Sequence, residues 1–215
     1  MKKVIYLSVI SVIAFFAFVA MIIFLAIEGE SRMGYGIFLC GVGIFAIFVC
    51  PLLRLIFRLR IPSYIDIYII LLVLFAFIAG EIFRLYDMTE FFDKGLHFAN
   101  GLAITAIAFS ITPLIGVKNA SPLFVAIFAF SFSMMWGVVW ELLEFGIDLA
   151  FDTNMQRWQD DPSTQTSQGS GVLDTMFDQF AHLVGALIVA IIGGIIYKKY
   201  PEGKRFLCER LPKNK

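Results

Sequence analysis

Charged side chains are scarce in this sequence, and extended polar segments are few. Asp, Glu, Lys and Arg account for 16% of the 215 residues, whereas 60% are hydrophobic and the mean hydropathy is +0.85. Soluble domains carry about 25% charged residues, so the composition excludes the soluble globular class and indicates an integral membrane protein. We expect residues 1–215 to form a single integral membrane domain.

Cysteine is also scarce, which bears on redox chemistry. Cys40 and Cys50 fall within one apolar segment, and Cys208 falls in the basic C-terminal tail. No pair of cysteines lies on an oxidising side of the membrane, so we do not expect a disulfide framework. We expect all three side chains to be apolar packing residues.

Six segments are apolar and long enough to cross a hydrocarbon core of about 30 Å, which takes roughly 20 helical residues. They lie at about 4–27, 34–53, 61–83, 94–116, 122–150 and 172–197. The first is too long for the core of a signal peptide, so we interpret it as a retained anchor. The sequence therefore predicts an all-α polytopic membrane protein, a bundle of six transmembrane helices.

Lys and Arg are distributed unevenly between the two sides of this bundle. With a cytoplasmic N-terminus, the inner loops and tail hold all but four of the 17 basic residues; the exceptions are Arg32, Arg84, Lys94 and Arg157. The positive-inside rule then predicts a multi-pass membrane protein with both termini in the cytoplasm. Residues 151–171 become an extracytoplasmic loop, either a lid or a tether. The basic inner face suits the lipid bilayer as partner, and nothing indicates nucleic acid.

Glycine is concentrated in the second predicted span, at Gly34, Gly36, Gly41 and Gly43. Small residues at helical spacing allow two helices to approach closely. The partner helix is either part of the same chain, which we favour, or a second copy in a homodimer.

Acidic and imidazole side chains recur at one depth of the predicted bundle. Because about 20 residues cross the core, counting outward from the inner ends of four spans reaches a polar residue at the outer boundary each time. These residues are Glu81, His97, Glu141 and Asp178. Helical phase also gives each of the last three spans a single polar face. The members of these faces are Asp93, His97 and Asn100; Glu141, Glu144 and Asp148; and Asp174, Asp178 and His182. We expect the three faces to meet.

Two segments that contain the only histidines are similar to each other. "FDKGLHFANGL" at 92–102 and "FDQFAHLVGAL" at 177–187 each place Asp four residues before His. The preceding spans end in "GEIFRLYD" and "WELLEFGID", so the third and fourth spans form a hairpin that the fifth and sixth could repeat. Such a repeat predicts a pseudo-two-fold axis with two halves of one site on it. Chance similarity between apolar helices is the alternative.

Carboxylate and imidazole ligands without thiolate suit zinc or a harder divalent ion such as manganese. The candidate metal ligands are His97, Asp93, Asp178, Asp174 and His182. The candidate catalytic residues are Glu141 and Glu144, with Glu141 as the base that activates water against a lipid or envelope substrate. Two other functions stay open: a non-enzymatic membrane partner protein whose acids hold the bundle together, and a proton or ion transporter. The polar residues stop at the outer edge, which disfavours the transporter.

Three motifs together resemble a known family. "HFANGL" (97–102), "WELLEFGID" (140–148) and "SQGSGVLDTMFDQFAHLVGAL" (167–187) are similar in order and spacing to the YjdF-like family of uncharacterised bacterial multi-pass inner-membrane proteins. The resemblance covers about 93–187 and implies a shared set of positions, with no activity attached. These positions are His97, Gly101, Glu141, Glu144, Gln168, Gly169, Asp174, Asp178 and Gly185.

The chain departs from that pattern in two places. Ser170 and Gly171 stand where the family has an acidic residue after Gln-Gly, and His182 lies outside the family pattern. The second departure disfavours a site built from a symmetric pair of histidines and favours one built from His97 with the neighbouring acids.

The predicted topology can be tested by labelling single cysteines from outside the cell. We expect a cysteine at position 165 to be labelled and one at position 214 to be protected, because the loop and the tail lie on opposite sides. The reverse pattern would overturn the topology.

Overall fold

The structure is a computed structural model that describes residues 12, 15–16, 18–19, 21–23, 26, 33–115, 120–160, 170–199 and 208–210. Most of the predicted first span, 4–27, therefore lies outside the described residues, although those described within it are helical. The side chain of Glu81, and Gln168 and Gly169 of the family resemblance, also lie outside the described part.

The described residues are mostly helical. The helices are α1 (Met33–Phe57), α2 (Ser63–Val73) continued by a π-helix (Leu74–Ile82), α3 (Leu85–Met88), α4 (Glu90–Ile111), α5 (Pro122–Phe151) and α6 (Gly171–Lys199). The two-residue strands β1 (Leu59–Arg60) and β2 (Glu209–Arg210) pair antiparallel. The third predicted span is thus irregular: the Phe83 amide donates to the Ile78 carbonyl five residues earlier, at 2.9 Å, as in a π-helix.

Within the described part of the chain, four helices are long and apolar enough to cross a membrane. They are Gly34–Phe57, Ser63–Gly80, Pro122–Phe151 and Gly171–Lys199. Helix α4, the predicted fourth span, has 22 residues but is not among them, because Lys94, His97 and Asn100 lower the hydropathy of its first half. A count of six spans is therefore not confirmed.

Local capping explains where α4 and α5 begin. Thr89 Oγ1 accepts a hydrogen bond from the Phe91 amide at 3.3 Å, so α4 starts four residues before the predicted boundary at 94 and includes Asp93. Ser121 Oγ accepts from the Phe124 amide at 3.2 Å, and Pro122 occupies the first helical position of α5, where its missing N–H costs nothing.

The chain divides into two compact units, residues 1–84 with 209–215, and residues 85–208. In the first unit, Arg54 near the end of α1 donates to Asp66 in the first turn of α2, with Nη1 2.6 Å from Oδ1. A methyl group at Gly43 would overlap the ring of Phe18, whereas Gly34 and Gly41 have no such neighbours. Close packing within the chain therefore explains Gly43, and a homodimer contact stays a prediction.

In the second unit, α4, α5 and α6 pack against one another with polar and small residues inward. The buried face of α5, for example, consists of Val125, Ala129, Ser133, Gly137, Glu141, Glu144 and Asp148. Large apolar side chains such as Leu142 and Phe180 lie outside, 64% and 63% exposed. This is the reverse of a soluble protein and fits helices that are surrounded by lipid.

Two glycines bring α4 and α6 into backbone contact. A methyl group at Gly101 would overlap the carbonyl oxygen of His182, and one at Gly185 would overlap the carbonyl oxygen of Phe98. Gly101 lies one helical turn beyond His97 and Gly185 two turns beyond Asp178, so this approach holds the polar faces of the two helices together.

The hairpin repeat is not confirmed. The third predicted span belongs to the first unit and the fourth to the second, whereas α5 and α6 pack together within one unit. The two histidines also lie in different surroundings: His97 is near carboxylates and His182 is beside Ser133.

Replacing Gly101 by Ala should lower the free energy of unfolding by about 1–3 kcal/mol, because the added methyl group overpacks a backbone contact. The matched control is Gly95→Ala on the same helix. Gly95 has no neighbour for an added Cβ, and Ala there should leave stability unchanged or raise it by up to about 1 kcal/mol. Thermal unfolding in detergent measures both, and equal effects would contradict the close approach.

Candidate functional site

Five carboxylates and one imidazole are buried together at one end of α4, α5 and α6. We call this group the acid–histidine cluster; its members are His97, Asp93, Glu141, Glu144, Asp174 and Asp178, each at most 8% exposed. Three helices contribute: α4 supplies Asp93 and His97, α5 supplies the two glutamates, and α6 supplies the other two aspartates. The structure thus brings together every site residue that the sequence predicted except His182.

The imidazole of His97 lies between carboxylates on both of its nitrogens. Nε2 is 3.7 Å from Asp93 Oδ1 and 4.0 Å from Glu144 Oε1, and Nδ1 is 3.8 Å from Glu141 Oε1. These distances exceed those of direct N–H···O hydrogen bonds, about 2.7–3.2 Å. His97 is therefore near three carboxylates without being tightly bonded to any of them.

Two sets of three side chains in the cluster have the geometry to bind a metal ion. One set is Asp93, His97 and Asp178, and the other is His97, Glu141 and Glu144. In each, one ligand atom per residue lies within 4.8 Å of the others. Both sets contain His97, so an ion bound to this histidine could draw further ligands from all three helices.

Two cations, which in the sequence indicate only the topology, contact the cluster. Lys94 Nζ is 3.1 Å from Asp174 Oδ1 and 3.4 Å from Asp178 Oδ1. Arg157 is buried, with its guanidinium 3.8 Å from Asp93 Oδ2 and 3.7 Å from Asp174 Oδ1. Charge balance could have predicted Lys94 and Arg157 as members of the site. Buried carboxylates need compensating positive charge, and few basic residues lie near this end of the helices in the sequence.

Lys94 and Arg157 neutralise only part of the negative charge of the cluster, and they do so unevenly. If all five carboxylates are ionised, Lys94 and Arg157 leave an excess of three negative charges. Both cations lie beside aspartates; neither is paired with Glu141 or Glu144 in the described structure. Among the described residues, no donor reaches Glu141 Oε1, although this atom is buried. The glutamate side of the cluster is therefore where an additional cation is most favoured.

Trp140 has a polar role that an aromatic belt does not explain. Its indole N–H donates to Glu144 Oε1 at 2.6 Å, one helical turn along α5. The bond fixes the carboxylate that faces His97. Trp140 also provides an optical probe next to the cluster.

The segment that follows α5 closes one side of the cluster. Asp148 accepts hydrogen bonds from Thr153 Oγ1 at 2.6 Å, from the Met155 amide at 2.8 Å and from the Gln156 amide at 3.1 Å. Asp148 shares the polar face of α5 with the glutamates, but its bonds go to this segment, so its role is to order the backbone. Asp152 and Arg157 adopt left-handed backbone angles there, with φ of 53° and 51°.

Gln156 links this segment to Glu141. Its Nε2 donates to Glu141 Oε2 at 3.2 Å, to the Glu141 carbonyl at 3.2 Å and to Thr175 Oγ1 at 3.1 Å. One carboxylate oxygen of Glu141 is thereby held while the other faces His97. Sequence reasoning missed Gln156 because nothing in a polar loop marks which residue folds back.

His182, the second predicted histidine ligand, lies apart from both metal-binding sets. Its Nε2 is 3.0 Å from Ser133 Oγ and 2.9 Å from the Ser133 carbonyl oxygen, which leaves that nitrogen engaged. The hydroxyl groups of Thr105 and Ser110 donate to backbone carbonyls of their own helix, as Thr105 does to Gly101 at 2.7 Å. The Ser133 hydroxyl instead lies 3.4 Å from the Gly101 carbonyl oxygen of α4.

Apolar helix surfaces around a buried polar cluster define a multi-pass membrane protein. The comparison with family models agrees: the chain belongs to the DUF2238 family, described as a predicted membrane protein, whose model matches residues 10–199. No curated protein and no solved structure matches the chain. The match extends well beyond the 93–187 of the YjdF-like resemblance and confirms an uncharacterised membrane protein family, while the narrower name stays a prediction.

Removing the Asp148 carboxylate should release the segment after α5. In the detergent-solubilised Asp148→Ala variant we expect trypsin to cleave after Arg157 at least about tenfold faster, because three hydrogen bonds worth about 1 kcal/mol each are lost. Mass spectrometry of the fragments measures the rate. The exposed Asp160 provides the control, and an equal rate in Asp160→Ala and Asp148→Ala would show that Asp148 does not order this segment.

Proposed function

We propose that this protein is a six-span inner-membrane protein with cytoplasmic termini, in which the acid–histidine cluster binds a divalent metal ion. The ion is held by His97 together with Asp93 and Asp178, one of the two sets with metal-binding geometry. Glu144 Oε1, 4.0 Å from His97 Nε2, is near enough to contribute a further oxygen. When bound, such an ion supplies Lewis acidity that activates water, here for hydrolysis of a lipid or envelope substrate.

The placement of His97 between opposed carboxylates is the observation that carries this proposal. A metal-ligating histidine usually donates its other ring N–H to a carboxylate, which fixes the ring. Glu141 Oε1 lies on the Nδ1 side at 3.8 Å and is buried without a donor, while Asp93 and Glu144 lie on the Nε2 side. We therefore assign Glu141 the orienting role, in place of the catalytic base that the sequence suggested.

The distances on the Nε2 side suit a shared ion. Two atoms that each bind one zinc ion at about 2.0–2.2 Å lie at most about 4.4 Å apart. The separations of Nε2 from the Asp93 and Glu144 oxygens, 3.7 Å and 4.0 Å, fall within this limit. A divalent ion would also offset two of the three excess negative charges and would thereby lower the free-energy cost of burying them.

A second function, a non-enzymatic partner protein whose acids join the helices, is favoured by one observation. Lys94 on α4 already bridges Asp174 and Asp178 on α6, at 3.1 Å and 3.4 Å. In this case the cluster needs no metal, so the same measurement separates the two functions.

Purified protein loaded with zinc or manganese and freed of excess metal should retain about one ion per chain. His97→Ala and Glu144→Gln should lose most of this metal because each removes a ligand, whereas Asp160→Asn, at an exposed position, should bind like the wild type. Elemental analysis measures the stoichiometry, and circular dichroism verifies that the variants are folded.

Tryptophan fluorescence gives an independent measurement. Because Trp140 donates to Glu144, metal binding should change the emission of the wild type and should not change that of Glu144→Gln. Equal metal content in the wild type and in folded His97→Ala, or no metal in the folded wild type, would refute the metal site and leave the partner function.

A further inference from the structure

An apolar groove runs between the start of α5 and the end of α6, far from the acid–histidine cluster. Its volume is about 420 Å³. The floor consists of the small residues Ala126, Ala190 and Gly194. The walls are large apolar side chains, Leu123, Ile127 and Phe130 on α5 and Leu187, Ile191 and Ile195 on α6. Lys198 closes one end.

The small floor residues explain why the groove exists. A methyl group at Gly194 would lie 3.2 Å from Ala126 Cβ, so the two helices are close together here. The larger residues on either side project outward; Ile191 and Ile195 are 61% and 63% exposed. The result is a channel between two ridges that is open along its length.

The groove has the position and length of one leaflet of a bilayer. From Asp178 in the cluster to Lys198, α6 rises about 30 Å at 1.5 Å per residue, which equals the thickness of a hydrocarbon core. From Lys198 back to Leu187 the rise is about 16 Å, roughly half of that core. If the cluster lies at one membrane boundary, Lys198 lies at the other, and the groove ends near the midplane.

We propose that this groove binds one acyl chain of an anionic phospholipid, whose phosphate pairs with the Lys198 ammonium. Charge complementarity and the length of the groove favour this ligand. The lining is apolar except at Lys198, and a phospholipid has one anionic group at the end of a chain about one leaflet long. The helix start at Pro122, with its partial positive charge, lies beside the same end. This binding site does not depend on the proposed metal centre.

Native mass spectrometry of the full chain in detergent, titrated with phosphatidylglycerol or phosphatidylcholine, tests the proposal. We expect one phosphatidylglycerol to be retained per chain in preference to phosphatidylcholine. Lys198→Gln should reduce this preference about fivefold, as expected for one basic residue at an anionic headgroup. Lys199→Gln, which removes the neighbouring charge outside the groove, should leave the preference unchanged.

The acyl chain is tested by a second matched pair. Ile191→Ala should weaken the binding of both lipids several-fold, because it removes part of a groove wall. Ile192→Ala should leave the binding of both lipids unchanged. Ile192 is also exposed and lies outside the lining, so neither variant disturbs the core. Equal lipid retention within each pair would overturn the proposal. So would a dimer without bound lipid in the wild type that Ile191→Ala dissociates, since the groove would then bind a second copy.

Discussion

The burial of five carboxylates together with the His97 imidazole is the constraint on which the second unit depends. Removing one unpaired ion from water costs several kcal/mol, and the attraction of a partner offsets that cost only when the geometry is good. The unit meets this constraint with Lys94 between two helices and Arg157 from the segment after α5. Both cations favour the aspartates, so the glutamates and His97 form the side that a metal ion would neutralise.

The close approach of α4 and α6 makes this arrangement sterically feasible. Gly101 and Gly185 allow each backbone to contact the other, and the aspartates of α6 thereby come within reach of Lys94 on α4. In a membrane, where apolar surfaces gain little from meeting, such contacts and polar pairs hold helices together. The glycines and the acid–histidine cluster therefore depend on each other. The glycines allow the short distance between α4 and α6, and the ion pairs of Lys94 with Asp174 and Asp178 require that distance.

The two histidines show how surroundings separate similar sequences. Both lie four residues after an Asp in matching segments. His97 is surrounded by carboxylates from α4 and α5, whereas His182 has a nitrogen engaged by the hydroxyl and carbonyl of Ser133. The difference arises because α5 presents Glu141 and Glu144 at one level and Ser133 two turns away, so one motif meets acids and the other meets a hydroxyl.

Hydropathy and helical phase in the sequence alone determined the membrane class, the helical architecture and the meeting of three polar faces. These properties are local, because the length of an apolar segment and its 3.6-residue period can be read from consecutive residues. Tertiary structure decided that His182 stays outside the metal-binding sets, that Asp148 orders a segment, and that Gln156 and Arg157 reach the cluster. A polar residue in a loop can fold back in many directions, and only packing and the charge balance of the buried site select one.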